Sequence, residues 1–242
     1  MPQRRGDLLV PPARVRPGYS PDDDQHYLEW GKHDHDHIMT LIKKHRGVDP
    51  GMSILDFGCS SGRVLRHFYE EYKTLDWRLH GIDIQAYLVE WMRRNFPPEI
   101  QVICGSTYPH LPYEDRSMDC VFGVSVFTHT KYLWDTWLAE IRRVLKPGGL
   151  CLQTVQCERA WRFYHEHRDE EWVQQGHPET MLSKAEMDTD YFQYGDAFVS
   201  QNFFREDTIK KFWSRIMPVV DFLAPDPRYG YQDWIVLQKA PI

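Results

Sequence analysis

Apolar residues in this chain fall into short unbroken runs, and stretches of helical period lie between them. "MSILDFG", "WRLHGIDI", "EIQVICG", "SMDCVFGVSVF" and "LCLQTV" each read as a buried strand, because a strand covered on both faces has no polar alternation to show. "GRVLRHFYEEY", "AYLVEWMRRNF" and "YLWDTWLAEIRRVLK" carry apolar positions at i, i+3 and i+4, and read as helices. The second stops before Pro97-Pro98, and the third presents Leu133, Trp137, Ile141, Val144 and Leu145 as one stripe before "PGG" cuts it. Upstream, "DHIMTLIKKHRG" predicts a helix on Ile38, Leu41 and Ile42 that ends at Gly47.

Strand alternating with helix predicts a parallel sheet with right-handed crossovers and helices on both faces. The pattern breaks over residues 156–204, which are aromatic, charged and irregular, with "WRFYHEHRDEEW" the one helical candidate. "REDTIKKFWSRI" resumes as helix, and "MPVVDFLAPDPRYGYQDWIVLQKA" reads as two strands joined by a Pro/Gly/Asp-rich turn. Residues 1–24, rich in proline and arginine and without period, read as an extended arm that is disordered or folds over the main domain at 25–242. Residues 156–204 follow the fifth strand and read as a lid.

A length of 242 residues suits one α/β domain, and a formal charge of −6 argues against a broad phosphate-binding surface. No apolar run reaches membrane-span length, and there is no signal-peptide core, so the expectation is a cytoplasmic protein with no nucleic-acid or membrane partner. The five cysteines form no CxxC pair. Cys104, Cys120 and Cys151 sit inside apolar runs, as reduced core residues would.

The chemistry concentrates in "ILDFGCSSGR". Asp56 ends a strand, and small residues turn the chain into a helix whose start should offer unpaired N–H donors. A dinucleotide fingerprint would require glycines at 60 and 63, where Ser60 and Arg63 stand. Asp83 ends the next strand, where a carboxylate accepts from ribose hydroxyls or, alternatively, caps the following helix.

In order and spacing, "ILDFGCSSGR", "GIDI", "LPYEDRSMDCVFGVSVFTH" and "EIRRVLKPGGLCLQT" resemble the successive motifs of class I S-adenosylmethionine-dependent methyltransferases. The resemblance covers roughly residues 36–156 and includes a similarity to bacterial members of the "SVFTH" type, many of which look associated with glycan or secondary-metabolite pathways. It implies a Rossmann-like three-layer α/β sandwich, with a seven-stranded, mostly parallel sheet ending in an antiparallel hairpin, and S-adenosyl-L-methionine as cofactor. It further implies that Asp56, Gly58, Cys59, Ser60 and Gly62 surround the amino-acid end of the cofactor. Asp83 would take the ribose, Ile84 the adenine face, and Ser125 the position beneath the sulfonium. Two positions depart from the family pattern. Ser60 replaces the middle glycine, which is tolerable with a negative φ. Ser106 and Thr107 stand where many members place an acid against the adenine amine.

His129 follows the fourth strand and is the candidate base for an oxygen acceptor. Phe127, Tyr132, Tyr164 and His165 are candidate acceptor contacts. In "HDHDH", His33 and His37 share an i, i+4 face, but no third ligand is evident, so no metal is expected, and His35 or His37 could instead reach the cofactor. The activity expected is methyl transfer to a small-molecule or glycosylated acceptor. The alternatives are a non-catalytic cofactor-binding regulator or scaffold, or a protein or RNA methyltransferase.

Overall fold

The computed structural model describes residues 4–5, 8–18, 23–196 and 200–241. Five parallel strands form its centre: β1 (Ser53–Phe57), β2 (Arg78–Asp83), β3 (Gln101–Cys104), β4 (Met118–Gly123) and β5 (Leu145–Val155). The cap hairpin β6 (Tyr191–Tyr194) and β7 (Gln201–Phe204) forms a separate two-stranded sheet. β8 (Val219–Leu223) and β9 (Asp233–Gln238) complete a seven-stranded sheet of order β8-β9-β5-β4-β1-β2-β3. β9 runs antiparallel to both β8 and β5, as the terminal apolar runs predict. This is the Rossmann-like architecture expected from the sequence.

Alternate residues of each strand enter opposite layers. Ile54, Phe122, Leu150 and Leu152 pack with Ile38, Leu41 and Ile42 of helix α1 (Asp24–His45), with Phe68, and with Val89 and Met92 of α3 (Ala86–Asn95). Leu55, Val121 and Cys151 face the other way, onto Trp137, Leu138, Ile141 and Val144 of α4 (Trp134–Val144) and onto Ile209 of α8 (Glu206–Phe212).

Three local departures from the sequence reading bear on the site. Helix α1 begins at Asp24, twelve positions before the apolar pattern does, with the Asp23 carboxylate accepting from the His26 N–H at 2.9 Å. Its first turns line the cavity with Tyr27, Trp30, His33 and Asp34 and so carry no aliphatic stripe. Next, the helix expected over 62–72 is a run of turns, a 3-10 turn at Leu65–Phe68 and a short α2 (Tyr69–Leu75). That tight path brings the Leu65 backbone close enough to the Asp56 carboxyl to oppose the rise that burial causes. Last, β5 is assigned from Leu145, ahead of "PGG", because Gly148 and Gly149 pair through their backbones with Lys239. Cys104, expected in the core, is exposed, while Cys59, Cys120, Cys151 and Cys157 are buried.

Residues 8–18 of the arm lie against the body, and the rest of the arm up to residue 22 is two short strand residues (4–5) or lies outside the described residues. Leu8, Val10 and Val15 are buried. Arg66 donates to the carbonyls of Leu8 and Leu9 at 3.1 and 2.9 Å. Buried Arg16 pairs with Asp24 and stands over the Tyr27 ring at 5.0 Å. The 156–204 segment folds into α5 (Glu158–Glu166), α6 (Glu171–Gly176), α7 (Glu179–Leu182) and the β6–β7 hairpin. Their core of Trp161, Tyr164, Val173, Met181, Leu182 and Phe203 is its own.

At the opposite end of the sheet, buried Asp119 accepts from Arg46, from Lys146 at 2.6 Å and from the Ser53 N–H at 2.8 Å. One carboxylate thus joins the end of α1 to β1, β4 and β5. Asp119→Ala should lower unfolding stability by about 2–3 kcal/mol, since it leaves Lys146 and a buried N–H unmatched and Arg46 with Asp49 alone. Urea denaturation checks this, and a loss below about 0.5 kcal/mol would contradict it.

Candidate active site

The loop after β1 is shaped by where its N–H groups go. Gly58 and Cys59 donate to the Ile82 carbonyl at 2.8 and 3.0 Å, and Ser60 donates to Asp83 Oδ2 at 2.8 Å. Gly62 donates to the Cys59 carbonyl at 2.8 Å. The donors expected for a ligand are therefore used by β2 and by the turn itself. Such a loop cannot cradle a pyrophosphate through these groups; what it offers is space and carbonyl oxygen. Gly58 has φ +79°, and a Cβ there would lie 2.4 Å from Val126 Cγ2. Ser60 has φ +50°, not the negative value expected, which costs on the order of 1–2 kcal/mol for a side chain with a Cβ.

Asp83 uses both oxygens on backbone N–H groups, those of Ser60 and of Gln85, each at 2.8 Å. Burial pushes its carboxyl above the usual range, and those N–H bonds oppose the shift. Its remaining lone pairs face a cavity of about 960 Å³ at the carboxyl ends of β1, β2 and β4, next to the switch in strand order. Ile84, Gly105, Ser106, Thr107 and Tyr108 line one end of it, and Ser125, His129, Lys131, Tyr132 and Trp137 the other.

Between them stand Tyr27, Asp34, Asp56 and Arg63. Arg63 pairs with Asp34 at 2.7 Å. Asp56 is buried, and desolvation pushes its carboxyl up to about 8, with Arg63 pulling it down and Asp83 adding to the rise. At the far end, the Ser125 N–H donates to Thr154 Oγ1 at 2.6 Å, that hydroxyl donates to Gln232 Oε1 at 2.7 Å, and Gln232 Nε2 donates to Ser125 Oγ at 2.8 Å. This closed ring fixes Ser125 at φ +60°. Lys131 is also left-handed, at φ +51°, so Ser60, Ser125 and Lys131 all strain the backbone in the cavity wall.

His129 Nδ1 lies 2.6 Å from the Ser200 carbonyl oxygen. A carbonyl only accepts, so Nδ1 carries the hydrogen and Nε2 of the neutral ring keeps its lone pair. Burial holds the imidazole below the usual histidine range, although the Ser200 bond opposes that.

Of the residues expected at the cofactor, Asp56, Gly58, Cys59, Ser60, Asp83, Ile84, Ser106, Thr107 and Ser125 line the cavity. Cys59 does so with its thiol in the core, 3.9 Å from Met92 Sδ. Gly62 does not line it: a Cβ there would meet Phe96 at 2.6 Å, so this glycine makes room behind the loop. Among the acceptor candidates only Tyr132 lines the cavity. Phe127 is fully buried against Trp213, at the start of a 3-10 turn (Phe127–His129) that follows β4 and turns its ring into the core. Tyr164 belongs to the cap core and bonds Tyr231, while His165 is tied to the Leu182 carbonyl at 2.8 Å. No described residue of 156–204 lines the cavity.

The sequence reading missed Tyr27, Trp30, His33 and Asp34 on α1, and Tyr229, Tyr231 and Gln232 in the β8–β9 connection. The Asp23 cap was the available signal for the first group. The histidines of "HDHDH" diverge. His33 stacks on Tyr229 at 3.7 Å, His35 bonds Asp36 and Glu71, and His37 packs on Trp234. Neither His35 nor His37 reaches the cavity.

Residues 54–149 match the family described as a methyltransferase domain. A sterol 24-C-methyltransferase of Gibberella zeae is 30% identical over 121 residues, 48% of this chain and 30% of that protein. The chain thus spans less than a third of the length of such relatives. Among solved structures, a Pyrococcus horikoshii protein superposes with a TM-score of 0.64 at 17% identity, covering 93% of this chain and 97% of that one. A Burkholderia thailandensis 1,6-didemethyltoxoflavin N1-methyltransferase, solved with 1,6-didemethyltoxoflavin and S-adenosylhomocysteine, gives 0.56 at 16% identity, with 99% of both chains covered. Residues 54–149 are thus similar to a methyltransferase domain, and the chain has the fold of S-adenosylmethionine-dependent methyltransferases. The cavity suits that cofactor: a carboxylate for a diol, a loop that needs no phosphate, and Asp34, Asp56 and Arg63 for a zwitterion.

Because the carboxyl of Asp56 is raised on folding, its stabilising contribution is full below the ordinary aspartate range and lost as pH rises through about 8. The ligand-free protein should lose stability progressively from about pH 4 to about pH 8 and level off above that, and Asp56→Asn should flatten that loss. Parallel pH–stability curves for the two proteins would rule this out.

Proposed function

We propose that the protein transfers the methyl group of S-adenosylmethionine to a small-molecule or glycosylated acceptor, at oxygen, with His129 as the base. When bound, the cofactor supplies a methyl group already activated by a positive sulfur. What remains for the chain is alignment, exclusion of water and removal of one proton. Asp83 would hold the ribose diol, Ile84 would cover the adenine, and Asp34, Asp56 and Arg63 would hold the amino-acid end. Ser125 would then lie where the reacting centre approaches.

The observation that carries the oxygen reading is the tautomer of His129. With Nδ1–H committed to Ser200, the lone pair on Nε2 is free to take a hydroxyl proton, and burial keeps the ring neutral at ordinary pH. Ser106 and Thr107 line the adenine end as hydroxyl groups in place of an acid. The flat face of Tyr132, 68% exposed, stands at the His129 end of the cavity and suits a sugar or aromatic ring. A relationship to the "SVFTH" type, with its glycan and secondary-metabolite members, agrees with such an acceptor.

Carbon methylation is the second reading. It is favoured by the sterol C-methyltransferase relatives, and there the same imidazole would take the proton released by the methylated carbon. Among the described residues, no helix is long and apolar enough to cross a membrane.

Asp83→Ala should weaken S-adenosylmethionine binding by about 100-fold, since it removes charge-assisted bonds to the diol. His129→Ala should leave that affinity unchanged and lower turnover by about 100-fold or more. Calorimetric titration and product mass spectrometry read the two. Unchanged affinity in the first variant, or full turnover in the second, would overturn the corresponding assignment.

A further inference from the structure

No described residue of the expected lid lines the cavity, yet the lid is bonded closely to the segment that carries His129. Between β4 and α4 the chain passes through Phe127, Thr128, His129, Thr130 and Lys131. Buried Asn202, on β7, directs its amide into this turn, with Nδ2 at 2.9 Å from the Phe127 carbonyl, 3.0 Å from the Lys131 carbonyl and 3.2 Å from Thr130 Oγ1. Two N–H hydrogens serve three acceptors, so one bond is shared. The Tyr191 hydroxyl, on β6, lies 2.8 Å from the Lys131 carbonyl and 3.1 Å from Asn202 Oδ1. Buried Ser200 completes the set: its Oγ donates to the His129 carbonyl at 3.0 Å, and its carbonyl accepts from His129 Nδ1.

We infer that Asn202, Ser200 and Tyr191 are positioning residues: the cap is a template for the acceptor wall, setting the ring tautomer of His129 and the left-handed backbone of Lys131. This rests on the proposed role of His129 for its effect on turnover, but not for its effect on the ring. The physical case is one of satisfaction and strain. A left-handed lysine strains the backbone and persists only where its surroundings over-determine it. Here its carbonyl has two donors from two strands of the cap. The imidazole likewise has one fixed partner, and that partner is main chain, whose place is set by the β6–β7 pairing and by the Phe204 N–H donating to the Gln156 carbonyl at 2.9 Å. β7 is thereby tied to the end of β5, so the histidine is referenced to the central sheet through the cap.

The arrangement explains why an insertion whose described residues do not line the cavity is packed around a core of its own, with Trp161, Tyr164 and Phe203 buried. A mobile cover needs no such core. A rigid template does.

The test is the ring tautomer of His129, read from its 15N shifts in the cofactor-free protein and assigned with His129→Gln. The wild type should show Nδ1–H alone. Asn202→Ala, and more mildly Tyr191→Phe, should give a mixture of tautomers while S-adenosylmethionine affinity stays within about twofold. With an acceptor in hand, kcat should fall roughly tenfold to 100-fold in Asn202→Ala with KM little changed. If Asn202→Ala fails to fold, Tyr191→Phe and Ser200→Ala carry the test, since each removes only a hydroxyl. A pure Nδ1–H tautomer retained in every folded variant overturns the inference. Altered tautomers together with full turnover in His129→Ala would instead uphold the template and reject the base.

Discussion

The carboxylate of Asp83 is the point on which the site turns. One oxygen takes the Ser60 N–H and the other the Gln85 N–H, so a single side chain joins the loop after β1 to the start of α3. With Gly58 and Cys59 donating to Ile82, three successive loop amides are spent on the end of β2. That expenditure decides what the loop can hold. A nucleotide held by phosphate needs those amides free, whereas a sulfonium nucleoside needs only close approach and a partner for its diol. The strain at Ser60 follows from the same arrangement, since a left-handed residue there belongs to the turn that brings these amides to β2.

Around that anchor, the cavity is assembled from parts far apart in sequence. Helix α1 brings Tyr27 and Asp34 to the loop, and it comes this close because Gly31 has no Cβ: one built there would lie 2.2 Å from the Arg63 carbonyl oxygen. The β8–β9 connection closes the other side. Tyr229 stacks on His33 of α1, and Tyr231 bonds Tyr164 of the cap, so this short stretch joins helix to cap across the opening. The ring of Ser125, Thr154 and Gln232 then ties the connection to β4 and β5.

Much of this was legible in the residues, and the part that was not has physical reasons. Strands buried on both faces announce themselves as apolar runs, so the order of the central elements and the places of Asp56 and Asp83 could be read directly. The first half of α1 could not, because its inward face lines the cavity with Tyr27, Trp30, His33 and Asp34 and shows no aliphatic stripe. Gly62 illustrates a different limit: its small size was legible, but whether it serves ligand or packing depends on Phe96, which is distant in sequence. Tyr164 and His165 looked like acceptor contacts because they lie in an aromatic insertion at the right point of the topology. Their side chains serve the cap itself, and only the tertiary structure could distinguish a lid from a buttress.

The most direct measurement is a crystal structure of the protein with S-adenosylhomocysteine. The account predicts the ribose hydroxyls within hydrogen-bond distance of Asp83, adenine against Ile84, and sulfur facing the half of the cavity lined by Ser125 and His129. A ligand lying the other way round, with adenine beside His129, or a cavity empty at saturating ligand, would contradict it.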